Sequence, residues 1–183
     1  MKSPQRPIGC IGVVPIGNVP DIVPKVVAAH ISGHLQVPIK ILSPLNHPQS
    51  AYDKKRCQYD AAVILESIER MRFDEYQKVI GVLQLDLFVP VFTHVFGEAQ
   101  QGGKFALVSL FRLKGATGVD LKLNSIILER VAKVALHEIG HLFDLFHCED
   151  KHCLMHFTGI LEELDRTPLY FCRYCSAFLK AAL

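Results

Sequence analysis

Several kinds of stretch are missing from this 183-residue sequence. No uninterrupted apolar run reaches the roughly 20 residues that a membrane-spanning helix needs. The apolar segment after Lys2 and Arg6 is broken by Gly9, Gly12, Pro15 and Gly17, so it does not read as a secretory signal. Neither sign of charge is in surplus: 20 Lys and Arg face 18 Asp and Glu, a formal net charge of +2. Without a basic stripe there is no electrostatic case for a nucleic-acid or membrane partner. Internal repeats, low-complexity tracts and an evident propeptide are absent too. The remaining composition, 50% hydrophobic, is that of one compact domain. Six cysteines in a chain with no signal point to a reducing, cytoplasmic setting, where clustered cysteines serve more often as metal ligands than as disulfides. A monomer is expected.

What the sequence does contain is concentrated between residues 137 and 155. His137 and His141 are four apart, a spacing that stacks two imidazoles on one helix face. Zinc accepts imidazole nitrogen, and Glu138, between the pair, can reach a zinc-bound water without taking a metal position. This is the HExxH arrangement, with Glu138 as general base. His147 is out of phase with that face, so the chain has to turn back to bring it in. Three imidazoles leave the fourth position of a tetrahedral metal open, as catalysis requires. Cys148 and Cys153 have four residues between them, Cys172 and Cys175 two, and eighteen residues separate the pairs. Two short pairs match a closed four-thiolate zinc site; two disulfides or four free thiols are the alternatives. His152 could replace one of the thiolates. Isolated Cys10 and Cys57 read as buried thiols.

Strands are expected at about residues 8–16, 38–43, 78–83 and 105–113, from short β-branched runs bounded by Gly and Pro. Helices are expected at about 20–32, 57–72, 124–143 and 174–182, from apolar residues at helical spacing. Asn124 is the candidate cap of the third, and Pro24 fits only the first turn of its helix. Residues 44–56, 84–98 and 115–118 read as irregular, with a turn at Gly102-Gly103. This order gives an α+β or α/β fold with a mixed sheet.

HExxH, a third His after five intervening residues and a downstream Met follow the metzincin pattern of zinc peptidases. With Cys148 directly after the third His, then Cys153, Met155 and the Cys172/Cys175 pair, the chain resembles the archaemetzincin family. So do residues 56–61, Asp86 to Pro90, Val95 to Ala99 and Ser109 to Leu113, so the resemblance covers most of the chain. It implies an α+β, metzincin-like fold: a twisted mixed sheet of four or five strands above a cleft, with the zinc helix as its floor. The whole chain, 1–183, would be a single catalytic domain, with 1–141 as upper and 142–183 as lower subdomain. Met155 would form the Met-turn, an apolar base beneath the ligands. Some metzincins carry a Tyr just after that Met to assist the transition state; His156 and Phe157 stand here. The family pattern has Gly where this chain has Asp144. Asp tolerates the left-handed conformation better than most residues, so the helix-ending turn is expected to survive. Accepting a hydrogen bond from a ligand imidazole is the second possible role of Asp144.

The expected function is a zinc metallopeptidase with two zinc ions per chain. His137, His141 and His147 hold the catalytic one, and Cys148, Cys153, Cys172 and Cys175 the structural one. Glu138 activates the attacking water. The resemblance implies peptide or protein substrates, with aminopeptidase-like cleavage of short peptides. Two rivals remain: an inactive zinc-binding interaction protein, and a nucleic-acid module built on the cysteines. The strand at 105–113 is expected at the sheet edge, where its free backbone groups would pair an extended substrate.

Overall fold

The computed structural model describes residues 9–115 and 122–183. Ile8 of the expected first strand and loop residues 116–118 lie outside the described residues. In chain order come β1 (Ile11–Ile16), α1 (Ile22–Leu35), β2 (Ile39–Ile41), β3 (Tyr52–Asp53), β4 (Gln58–Asp60), α2 (Ala61–Glu69), β5 (Lys78–Leu83), β6 (Leu87–Val89), β7 (Phe92–Val95), β8 (Gly97–Ala99), β9 (Phe105–Ser109), α3 (Ser125–Leu142), α4 (Leu161–Arg166) and α5 (Arg173–Ala182).

Strand alternation builds the layers. Successive side chains of a strand point to opposite faces. Ile11 and Val13 of β1, Ile80 and Val82 of β5, and Ala106 and Val108 of β9 enter one core with α1 and α3. Val14 and Ile16, Val79 and Leu83, and Phe105 and Leu107 enter the other, with α2. A strand covered on both faces has no place for a polar residue, which is why β1 and β5 are almost unbroken apolar runs. These strands form a five-stranded sheet in the order β2-β1-β5-β9-β8. It is mixed: β2, β1, β5 and β9 are parallel, and β8 runs antiparallel to β9. The fold is therefore α+β with a mixed sheet, as expected. Among the described residues no helix is long and apolar enough to cross a membrane.

Three expectations need correction. Residues 44–56 and 84–98 are not wholly irregular: β3 lies in the first stretch and β6, β7 and most of β8 in the second, and β6 and β7 join β3 and β4 in a second sheet, β3-β4-β6-β7. Strands of two to four residues are too short to show a period of two. Next, α2 starts at Ala61, not Cys57. Asp60 caps it, accepting from the N–H groups of Ala62 and Val63, and Cys57 is in a positive-φ turn (φ 53°). Finally, the strand that begins at Phe105 stops at Ser109 and is paired on both sides, by β5 and β8, so it offers no edge to a substrate. A turn through Gly102 (φ +63°), closed by the Gly103 N–H on the Gln100 carbonyl at 2.8 Å, folds β8 back along β9. The edge over the cleft is β8.

Helices α1, α3 and α5 lie close to their expected positions, whereas α4, a single short helix, was not expected. Asn124 caps α3, its Oδ1 accepting from the Ile127 N–H at 3.0 Å. Two basic residues of α3 hold α4. Arg130 makes paired 2.7 Å hydrogen bonds to the Asp165 carboxylate. The buried Lys133 ammonium donates to the Leu164 and Asp165 carbonyls and to Glu129 Oε1 at 2.8 Å. Its charge thus also satisfies carbonyls at the C-terminal end of α4.

The Arg130 guanidinium holds the Asp165 carboxyl below the usual carboxylate range. A depressed folded pKa adds stability above the unfolded value, about 3.9, and that stability is lost as pH falls through the folded value. Asp165 is partly exposed, so the contribution is about 0.5–1 kcal/mol. Asp165→Asn should be less stable than wild type at pH 7 by that amount, and the gap should close in acid. Denaturant unfolding across pH measures it; a gap that stays constant with pH rules out the ionic origin.

Candidate active site

His137 and His141 project from the last turns of α3 toward the cleft. Their Nε2 atoms are 3.1 Å apart. Each ring is fixed from behind: His137 Nδ1 donates to the Leu154 carbonyl and His141 Nδ1 to the Leu145 carbonyl, both at 2.8 Å. These bonds place the protons on Nδ1 and leave the Nε2 lone pairs facing one another. Burial, with the neighbouring His141, pushes His137 down to about 3, so it is neutral at physiological pH, the form a metal needs. Tetrahedral zinc with bonds of 2.0–2.1 Å would separate two nitrogens by roughly 3.3–3.4 Å, close to what the pair shows.

His147 reaches the pair because the helix ends abruptly. Asp144 has φ +67°. Its N–H donates to the His141 carbonyl and the Leu145 N–H reaches back to Gly140, each at 3.0 Å. That is a Schellman ending, with Asp where Gly is usual. Of the two roles expected for Asp144, the structure shows the helix-ending one; its side chain meets Gln101 Nε2 at 3.2 Å, and His141 Nδ1 is held by the Leu145 carbonyl instead. The Lys78 ammonium donates to the Leu142 carbonyl and so satisfies another free group of the helix end. The reversal carries His147 to ring distances of 5.3 Å from His137 and 4.9 Å from His141. One ligand atom from each of the three lies within 4.8 Å of the others.

Glu138 is buried in the wall of the same cleft, a space of about 450 Å³. Burial lifts its carboxyl well above the ordinary range, and Glu98 adds to the shift. The β8 backbone passes directly over it: a Cβ at Gly97 would lie 2.7 Å from Glu138 Oε1 and 2.7 Å from the Leu107 carbonyl oxygen. Met155 is fully buried beneath the histidines, and a Cβ at Gly140 would meet its sulfur at 2.5 Å. Phe157 stands 5.1 Å from the His147 ring and stacks on Phe92 at 6.1 Å. At that position no hydroxyl is available to donate a hydrogen bond.

The second cluster lies behind the first. Cys148, Cys153, Cys172 and Cys175 bring their sulfurs within 4.8 Å of one another. Cys148 Sγ and Cys172 Sγ are 3.9 Å apart, far beyond a disulfide bond of about 2.05 Å and close to the roughly 3.8 Å expected between thiolates on zinc. All six cysteines are free, so the two-disulfide alternative is not what the chain forms. His152 is outside the cluster, and Cys57 is exposed rather than buried.

The profile of peptidase family M54 matches residues 20–181. The chain belongs to peptidase family M54. It is a zinc metallopeptidase, hence a hydrolase. Among its relatives, the archaemetzincin of Methanopyrus kandleri is 40% identical over 136 residues, 74% of each chain. That of Haloquadratum walsbyi is 31% identical over 172 residues, 92% of this chain and 98% of the relative. The crystal structure of the M. kandleri archaemetzincin superposes with a TM-score of 0.84 at 32% identity, over 98% of this chain and 97% of that one. A zinc-dependent peptidase from Methanocorpusculum labreanum superposes at 0.82 with 30% identity, over 92% and 99%. The archaemetzincin resemblance read from the motifs is correct.

For this M54 chain, the structure brings together every residue singled out in the two motifs. It adds groups that sequence reading missed, the Leu145 and Leu154 carbonyls and Gly97, and it shows His156, which the sequence left open between a polar partner and a surface residue, donating from Nδ1 to the Cys148 carbonyl at 2.9 Å. A carbonyl carries no residue-type signal, and Gly97 read as a loop glycine. Gly97→Ala should destabilise the fold by about 1–3 kcal/mol through overpacking against the Leu107 backbone, although an added Cβ in a strand ordinarily helps. Urea unfolding tests this; unchanged or greater stability would show that β8 has room to move.

Proposed function

We propose that this peptidase cleaves its substrate with a water deprotonated by Glu138. His137, His141 and His147 hold the catalytic zinc. Cys148, Cys153, Cys172 and Cys175 hold a second, structural one, giving two zinc ions per chain. The observation that carries this reading is the convergence of three imidazoles in a cleft whose wall contains Glu138. Zinc at that position supplies Lewis acidity, which acidifies water and polarises a carbonyl. Glu138 follows His137 directly, so its carboxylate emerges beside the ligand face without joining it. Its buried position makes it a stronger base than an exposed Glu, and the charge of a bound metal acts in the opposite direction. In this role Glu138 would take the proton and pass it to the leaving amine.

An extended peptide would add to the free edge of β8, the strand that crosses the cleft. Phe92 and Phe157 line the cleft beside His147, and cleavage of short peptides in the aminopeptidase manner is carried by the archaemetzincin resemblance alone. Residues 1–183 act as one catalytic domain, with 1–141 and 142–183 as its upper and lower parts. The free thiols fit a cytoplasmic setting, and we read a monomer with no nucleic-acid or membrane partner. An intact, buried Glu138 speaks against the inactive-scaffold rival.

Glu138→Ala should keep zinc at the histidines while turnover of a fluorogenic peptide library falls about 10²–10⁴-fold. Undiminished turnover would remove Glu138 from the mechanism. Metal analysis of the purified enzyme should return two zinc per chain, and a single zinc would contradict the four-thiolate assignment.

A further inference from the structure

Residues 153–156 form a strap between the two clusters, and each of them is tied to one or both. The Cys153 sulfur accepts from the Cys172 N–H at 3.3 Å and from the Met155 N–H at 3.4 Å. The Leu154 N–H donates to the Tyr170 carbonyl at 2.9 Å, two residues before Cys172, while the Leu154 carbonyl holds His137 Nδ1 at 2.8 Å. The Met155 carbonyl accepts from the Cys148 N–H at 2.8 Å. His156 donates from its backbone N–H to the Cys153 carbonyl and from Nδ1 to the Cys148 carbonyl, both at 2.9 Å. The residue joined to His147 is therefore held at both its N–H and its C=O. The ring of His137 is held by the same four residues.

We infer that the four-cysteine cluster governs the three-histidine site through this strap, and that His156 is a positioning residue for His147. The inference rests on the reading that each cluster binds zinc. A metal at the cysteines would fix the position of the Cys153 sulfur, the shared acceptor of the Cys172 and Met155 N–H groups. The strap is then immobile, and with it the Leu154 carbonyl that orients His137. Without a metal nothing pins the Cys153 sulfur at the point where the two N–H groups meet it, and those two ties have no fixed acceptor. His137 and His147 then have to be ordered by the incoming metal itself, which lowers its affinity. Outer partners of metal ligands change affinity by about 10–100-fold, the size of coupling expected here.

Cobalt(II) tests this in the full chain after removal of zinc, because four-thiolate cobalt absorbs strongly in the near ultraviolet and imidazole-bound cobalt weakly in the visible. Cys172→Ser alters no atom of the histidine site. It should nevertheless weaken cobalt binding there about 10–100-fold. His156→Ala should weaken the same site about tenfold or more, and His156→Asn, which keeps a donor at the Nδ1 position, should recover most of the loss. A Cys172→Ser protein with native circular dichroism and full histidine-site affinity would overturn the coupling. Should Cys172→Ser fail to fold, His141→Ala serves instead. Binding linkage is reciprocal, so this variant's thiolate site should weaken by a comparable factor, and an unchanged affinity would overturn the inference. Failure of the wild-type chain to bind two cobalt ions would overturn the two-zinc reading instead, a result distinct from either.

Discussion

Two backbone carbonyls, of Leu145 and Leu154, set the chemistry of the cleft. Each accepts the Nδ1–H of one histidine and so turns a basic Nε2 lone pair toward the same point. Without these acceptors an imidazole can rotate, change tautomer or protonate, and any of these removes a metal ligand. Neither carbonyl is on the helix that carries the histidines. One belongs to the turn after α3 and the other to the segment between Cys153 and Met155. The site therefore exists only when α3, its terminal turn and the cysteine-bearing segment are packed together.

The end of α3 is the second constraint. A helix continued past Leu142 would carry residue 147 away from the face of His137 and His141, since six residues span well over one turn. The left-handed Asp144 stops it, the Lys78 ammonium meets the Leu142 carbonyl, the Gly102 N–H joins that of Asp144 on the His141 carbonyl, and the chain reverses. Asp has a Cβ and Gly has none, so this conformation is less favourable here than in a chain with Gly. The Asp144 side chain gains a contact in exchange, to Gln101 in the turn that leads into β9. One residue thus links the helix end to the β8–β9 hairpin, and the hairpin in turn places Gly97 over Glu138.

Depth of burial separates the roles of the acidic and basic groups. Glu138 is enclosed, with β8 against it, and its proton affinity is raised by desolvation. The Lys133 ammonium, one turn before His137 on α3, is equally enclosed, yet it meets two carbonyls and a carboxylate, so its charge is spent on holding α4. Burial alone does not make a functional group. The availability of the buried atom does, and of these two only Glu138 stands free of protein partners among the described residues.

By itself the sequence determined the helix face carrying His137 and His141, the position of Glu138 beside it and the two cysteine pairs. It also determined the apolar strands at β1, β5 and β9. These are local: the spacing of residues on a helix or the run length of a buried strand fixes them. The M54 membership was legible for the same reason, since its pattern is a string of short spacings. Tertiary structure decided what spacing cannot encode. The second sheet and the edge strand β8 are built from segments of two to four residues, which become strands only because a neighbour supplies the partner. That pairing displaced β9 from the edge. Likewise, the anchors of the imidazoles are backbone oxygens, present in every residue, and which of them faces a histidine depends on how distant segments pack.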